Sequence, residues 1–333
     1  MKRFLARIAA AALSAVILSG CGNSAASSSA PSAAGSGQAL TPINVAFCTW
    51  VGYAPLYIAQ AQGYFQQYGY EPNLIIMEDE STYGSALVSG SIDALGQVLD
   101  RDIIQYSAGA PEQYVCTMDA STGGDGLVAT GDIQSVDDLM GKTVALDKSA
   151  TSYFFFLQVL ADSNITEDDI NTVEMSNDAA GEAFIAGSVD AAVTWEPQLS
   201  NCSQREGGHI LVSSADYPKA IIDVLTVNSV FLADHPSAAQ DLAEIWNLSI
   251  DYLNKNYDDG CQIMADGLGL NIEEVKDSCS GVTYYDRDMN TEFVSPDTEF
   301  NVMDVANEAA AFWLERGYIK NGDLSGFFAA VAQ

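Results

Sequence analysis

Positive charge is what this chain has least of. Its 333 residues include 13 lysines and arginines against 45 aspartates and glutamates, a formal net charge of −32. So acidic a surface repels phosphate backbones and excludes nucleic acid as a partner. The acidity serves solubility and self-repulsion of a solvated exterior, or else an acidic face for a basic partner or cationic ligand. Histidine is nearly absent: His209 and His235 lie far from any metal-ligand cluster or nucleophile. No Gly-x-Ser-x-Gly elbow occurs, which removes the commonest hydrolase signature. After the N-terminal segment no run of 18 apolar residues appears, so no later segment is expected to insert in a membrane. Cysteine is sparse and odd in number beyond Cys21: Cys48, Cys116, Cys202, Cys261 and Cys279. At least one is therefore unpaired within a monomer. Cys261 and Cys279 bracket a short helical segment and are the candidates for a disulfide; the others read as small buried apolar residues.

What is present starts at the N-terminus. Lys2, Arg3 and Arg7 form a basic start, Ile8 to Leu18 an apolar stretch, and Leu18-Ser19-Gly20-Cys21 closes it. That order reads as a secretory signal over 1–20, too short to span a bilayer. The small residues before the cysteine resemble the bacterial lipoprotein box. The resemblance implies cleavage before Cys21, lipid attachment to its sulfur, and a place on the extracytoplasmic face of the cell membrane. Residues 21–41 are almost all Ser, Ala, Gly and Pro. They cannot order themselves by burial, and as a flexible tether they span about 20–25 Å.

From Ile43 onward, short apolar runs alternate with helical patterns. Ile43–Phe47 is a strand, Pro55–Gly63 a helix with proline at its start and glycine at its end, Leu74–Met77 a strand, and Tyr83–Ser89 a helix closed by Gly90. This alternation predicts an α/β protein built on mostly parallel sheets. An internal echo sharpens it. Residues 86–95, Ala-Leu-Val-Ser-Gly-Ser-Ile-Asp-Ala-Leu, are matched by 183–192, Ala-Phe-Ile-Ala-Gly-Ser-Val-Asp-Ala-Ala. Each is a helix end, a glycine for the left-handed position, a short turn, Asp, and a buried strand. The expectation is two similarly wound lobes: 42–125 with 225–333, and 126–224. Two chain crossings, near Asp125–Ala129 and Asp223–Thr226, would form the hinge.

In such sheets ligands sit beyond the carboxyl ends of strands. Trp50, Tyr53 and Trp195 follow strands there and are candidates to sandwich a solute. Ser149, Thr151, Ser152 and Tyr153 open a helix whose N-terminal N–H groups and hydroxyls can cradle an anion. Asp100, Asp125, Glu196 and Asp223 lie at strand ends or crossings, where a carboxylate could pair with a ligand amine. Arg101 and Lys148 are the sole basic candidates near the cleft, which argues against a multiply charged anion. Asp286, Asp288, Asn290, Glu292 and Asp297 mimic a calcium loop, but Thr291 stands where its glycine is required. Gly141-Lys142-Thr143 lacks the upstream glycine of a phosphate loop. No metal or cofactor is expected.

These residues together resemble the nitrate/taurine/aliphatic-sulfonate family of ABC-transporter substrate-binding proteins, with their thiamine-pyrimidine-binding relatives. The similar stretches are Trp50 to Ala59 with Gly63-Tyr64-Phe65, Gly124 to Val128, Asp138 to Ala145, Ser149 to Tyr153, and Trp195-Glu196-Pro197. The resemblance implies a two-lobed periplasmic-binding-protein-like fold of type II that closes by a hinge. It implies a monomer that binds a small solute and delivers it to a membrane permease and its ATPase. The solute stays open between a sulfonate or zwitterion and a cationic amine or pyrimidine. An enzyme or a surface sensor on the same fold are the rival classes. The cysteine-rich run of the related fungal thiamine-pyrimidine synthase is absent.

Overall fold

The computed structural model describes residues 39–148, 152–217 and 219–331. The signal, most of the tether and Cys21 lie outside the described residues, as do Ser149 and Thr151 of the expected anion cradle.

Among the described residues the strands form two sheets. The first has the order β11-β4-β10-β3-β1-β2, where β1 is Thr41–Phe47, β2 Tyr70–Ile76, β3 Ala94–Val98, β4 Glu112–Ser121, β10 Ile222–Asn228 and β11 Val282–Tyr284. The second has the order β7-β6-β8-β5-β9, where β5 is Asp125–Thr130, β6 Thr143–Leu146, β7 Asn171–Glu174, β8 Ala191–Trp195 and β9 Gly208–Ser213. The chain passes from the first sheet to the second between β4 and β5 and returns between β9 and β10.

The sheets are mixed, not mostly parallel as expected. β1 runs parallel to β2 and β3, and β6 parallel to β7 and β8, but β10 is antiparallel to both β3 and β4, and β5 to both β8 and β9. The antiparallel pairs involve the strands that flank the two crossings. A strand that leaves one sheet and a strand that comes back point opposite ways, and no helical crossover intervenes to restore direction.

The sequence echo is a repeated piece of structure. Gly90 ends the helix Tyr83–Ser89 at φ 69°, and Gly187 follows the helix Asn177–Ile185 at φ 76°, a left-handed conformation that suits glycine. The Asp93 carboxylate then accepts from the backbone N–H of Asn44 on β1 at 2.8 Å. The Asp190 carboxylate likewise accepts from Thr143 on β6, also at 2.8 Å. Each aspartate ties its strand to the parallel neighbour beside it.

Alternating apolar residues put a core on each face of each sheet. Ile43, Val45 and Phe47 of β1 share a buried cluster with Leu242, Ile245, Trp246 and Ile250 of the helix Ala238–Lys255, while Ala46 belongs to a second cluster with Tyr83 and Leu87. In the second sheet Val128, Ala145 and Ala192 meet Phe184 and Leu199; Leu127, Val144 and Val193 belong to the cluster of Phe155 and Phe156. Fully burying one such leucine or phenylalanine contributes roughly 2 kcal/mol. Among the described residues no helix is long and apolar enough to cross a membrane.

Candidate functional site

The two sheets meet at a small pocket lined by Cys48, Trp50, Tyr53, Asp125, Trp195 and Asp223. Cys48, Trp50 and Tyr53 come from the turn that follows β1; Asp223 is on β10 beside the return crossing. The second sheet supplies Asp125, first residue of β5, and Trp195, last residue of β8, which are register partners across an antiparallel pair. Five sequence candidates thus converge at the place where the chain changes sheets. The free space is about 10 Å³, roughly the room one water needs, so the pocket is narrow.

Its side chains are tied in pairs. The Trp50 indole N–H donates to Asp119 at 3.2 Å. The Tyr53 hydroxyl donates to Asp223, and the Ser152 hydroxyl to Asp125 at 2.8 Å. Asp119, Asp125, Asp223 and Ser152 are all at least 98% buried. Burial, opposed by the Ser152 and Ser121 hydroxyls, pushes Asp125 up to about 6. Asp119 and Asp223 face each other across β4 and β10 in register, a like-charge cross-strand pair. Burial first, and then the neighbouring carboxylates, hold both well above the ordinary range. Pairing of β10 with β4 slips just after Asp223, an irregularity of the kind that re-aims side chains at sites.

The close approach of these groups needs glycine. A side chain at Gly52 would come within 2.1 Å of Asp119 and 2.3 Å of the Trp50 indole nitrogen; one at Gly124 would come within 2.6 Å of the Trp50 ring.

Three candidates are turned elsewhere. The Glu196 carboxylate accepts from the backbone N–H and hydroxyl of Ser200, at 3.1 and 2.7 Å, and so secures the start of the helix Gln198–Ser203. Asp100 accepts from the Trp313 indole at 3.1 Å, behind the pocket; burial drives it up to about 7 against the pull of Arg101. Tyr153 donates to Glu167 and stacks on Trp313 with ring centres 6.2 Å apart. Asp100 and Tyr153 are held by partners distant in sequence, which no local pattern announces, whereas Glu196 is taken by Ser200 four residues on. The basic candidates are engaged too. Arg101 donates to the Lys148 carbonyl at 2.7 Å and lies over Tyr153 and Trp313, and Lys148 pairs with Glu167 at 2.9 Å.

Asp119 is the residue that sequence reasoning missed. It lies near the end of β4, and only the register with β10 sets it beside Asp223. Cys48 also lines the pocket, its thiol pushed up by burial and by Glu80. The expected disulfide is not formed: Cys261 and Cys279 are buried free thiols, each shifted upward first by burial. Asp286 caps the helix Arg287–Phe293 by accepting from Met289, and Asn290 both donates to and accepts from Thr117 of β4. The acids resembling a calcium loop are thus partly helical. A larger groove of about 450 Å³ runs between the helices Tyr83–Ser89 and Leu99–Ser107. Its lining comes from the first sheet's side alone, so approach of the two sheets cannot close over it.

Comparison with known proteins agrees with this architecture. A Bacillus subtilis (strain 168) protein with the provisional name aliphatic sulfonates-binding protein is 26% identical over 159 residues, 46% of this chain and 48% of the relative. An Escherichia coli (strain K12) protein of the same provisional name is 29% identical over 163 residues, 48% of this chain and 49% of its own length. The chain thus matches about half the length of these curated relatives. The solved alkanesulfonate-binding protein from Xanthomonas axonopodis pv. citri, bound to MOPS, superposes with a TM-score of 0.68 at 18% identity. That match covers 86% of this chain and 97% of the other, and it shows a shared periplasmic-binding-protein fold. The profile of the family described as NMT1/THI5 like matches residues 50–259, well over half of the sequence, and the chain belongs to that family.

Proposed function

We propose that this protein is the solute-binding component of an ABC importer. It captures a small organic solute, of the sulfonate or zwitterion class named for its relatives, and delivers it to a permease and ATPase. The observation that carries this reading is the narrow pocket between two sheets, with side chains from both and two chain crossings beside it. Residues 42–124 with 222–333 act as one lobe and 125–221 as the other; the expected bounds after 125 and 224 shift by one and three residues because β5 starts at Asp125 in the second sheet and β10 at Ile222 in the first. Because only about 10 Å³ is free, a solute enters when the lobes part and is desolvated when they close, a hinge motion about the two crossings. Trp50, Tyr53, Asp125, Trp195 and Asp223 are the contact residues, and Ser149, Thr151 and Ser152 add hydroxyls from the second lobe. Cys21, carrying lipid, tethers the monomer outside the cell membrane within reach of the permease.

The test is equilibrium dialysis against candidate solutes, with mass spectrometry of what is recovered. A binding protein returns one equivalent of unaltered solute, and tryptophan fluorescence changes as Trp50 and Trp195 are enclosed. Conversion of the solute would replace this reading with an enzyme; stable complexes without any import defect on deletion would replace it with a sensor.

A further inference from the structure

We propose that the pocket recognises its solute through a cationic nitrogen head, of primary ammonium, amidinium or guanidinium type, received by Asp119, Asp125 and Asp223 between Trp50 and Trp195. The inference rests on the solute-capture reading and names the chemistry that the same site selects.

Three observations carry it. The first is the disposition of donors. The Trp50 N–H, the Tyr53 hydroxyl and the Ser152 hydroxyl are each already given to a carboxylate, Asp119, Asp223 and Asp125 respectively. An anion arriving there would find these donors engaged by three acids. A cation would find three carboxyls, and its charge would favour their ionised, accepting form.

The second is an orphaned acceptor. Oδ2 of Asp119 is buried with no N–H or hydroxyl donor among the described residues, on a side chain with no solvent exposure, and meets at most a proton shared with the Asp223 carboxyl. It stands against Asp223, which lines the pocket. A buried carboxylate oxygen without a donor is costly, and two carboxyls opposed across strands are costlier still. Such an arrangement persists where something else supplies the missing protons, and a nitrogen head carries two or more N–H groups.

The third is the absence of a protein cation. None of the ion pairs among the described residues includes Asp119, Asp125 or Asp223. The upward displacement of all three acids, with burial as its first cause, is what an acidic pocket without a counter-charge produces. The two indoles add favourable faces for a desolvated cation. A sulfonate on the same molecule is compatible, since it would lie away from the three acids; a sulfonate alone is not.

The experiment is calorimetric titration of the full chain with guanidinium, ethylammonium, taurine, ethanesulfonate and nitrate. Guanidinium, ethylammonium or taurine, the solutes with a cationic nitrogen, should bind at least about tenfold more tightly than ethanesulfonate or nitrate, the usual scale of a charge-assisted contact. Taurine binding alone would assign a zwitterion, and guanidinium or ethylammonium binding alone a bare cation; either supports the proposal. Ethanesulfonate or nitrate binding as tightly as the best nitrogen compound would overturn it and leave solute capture standing. Failure of every compound to bind would overturn both. Asp125→Asn keeps an acceptor for Ser152 and should lower affinity for the nitrogen compound about tenfold or more with little change in melting temperature. Asp223→Asn should do the same; if it does not fold, the Asp125 variant decides, and unchanged affinity there counts against the proposal.

Discussion

Raising the pH from 5 to 8 should destabilise the unliganded protein, the reverse of the behaviour of a protein held by salt-bridged carboxylates. Asp100, Asp125 and Glu80 are buried, and burial as the leading cause raises them to about 7, 6 and 8. A carboxyl whose folded pKa exceeds its unfolded value binds its proton more tightly when folded. Its contribution is present in full below about pH 4 and is lost as pH rises through the folded value. Each pH unit in that window costs about 1.4 kcal/mol per group. Asp100 alone therefore accounts for about 3 kcal/mol between pH 5 and 7. Asp125 adds about 1 kcal/mol. The groups repel one another, so their separate losses do not add in full. Taking Asp100 by itself, the melting temperature should fall by about 6 °C or more, at roughly 2 °C per kcal/mol for a domain of this size. Surface acids with lowered values, such as Asp132 at about 2, are ionised in both states throughout the window and contribute no slope. Scanning calorimetry at fixed ionic strength checks it. Asp100→Asn retains an acceptor for Trp313 and should flatten the curve while stabilising the protein at pH 8. A melting temperature that is level or rises from pH 5 to 8 would refute the reasoning.

Trp195→Ala should weaken solute binding by about 1 kcal/mol or more, since it removes an aromatic wall of a closed pocket; unchanged affinity at unchanged stability takes Trp195 out of the site. Gly124→Ala drives a methyl group to 2.6 Å from the Trp50 ring and 3.1 Å from the Gly281 carbonyl, so tryptophan emission should shift and affinity fall about tenfold, an overpacking effect. Alkylation under native conditions should leave Cys48, Cys116, Cys202, Cys261 and Cys279 unmodified, because all are buried and burial pushes their thiols up so that they stay protonated. Peptide mapping after denaturation without reductant should find Cys261 and Cys279 alkylated; a linked 261–279 peptide would show a bridge instead.

Much of the fold was legible because its signals are local. Pro55 opens a helix and Gly90 and Gly187 follow helix ends, as the chain-local conformational preferences of these residues require. Asp93 and Asp190 are visible in the sequence as an echo, and each accepts an equivalent hydrogen bond from a neighbouring strand. The mixed strand directions were not legible, since an apolar run reads the same whichever way its neighbour points. At the site, Trp50, Tyr53, Asp125, Trp195 and Asp223 were found by their position after strands or beside crossings. Asp100, Tyr153 and Glu196 had equal claim on that criterion and were drawn off by Trp313, Glu167 and Ser200.

By itself the amino-acid order determined an acidic α/β chain with a repeated helix-to-strand connection and aromatic and acidic residues at strand ends. Those properties follow from side-chain periodicity and backbone preference, which act over a few residues. Only the tertiary structure decided which of those residues share a pocket. The register of β10 against β4 brings Asp119 to Asp223, and that of β5 against β8 brings Asp125 to Trp195. Register is set by the packing of whole strands on their cores, a long-range condition that no short stretch of sequence contains.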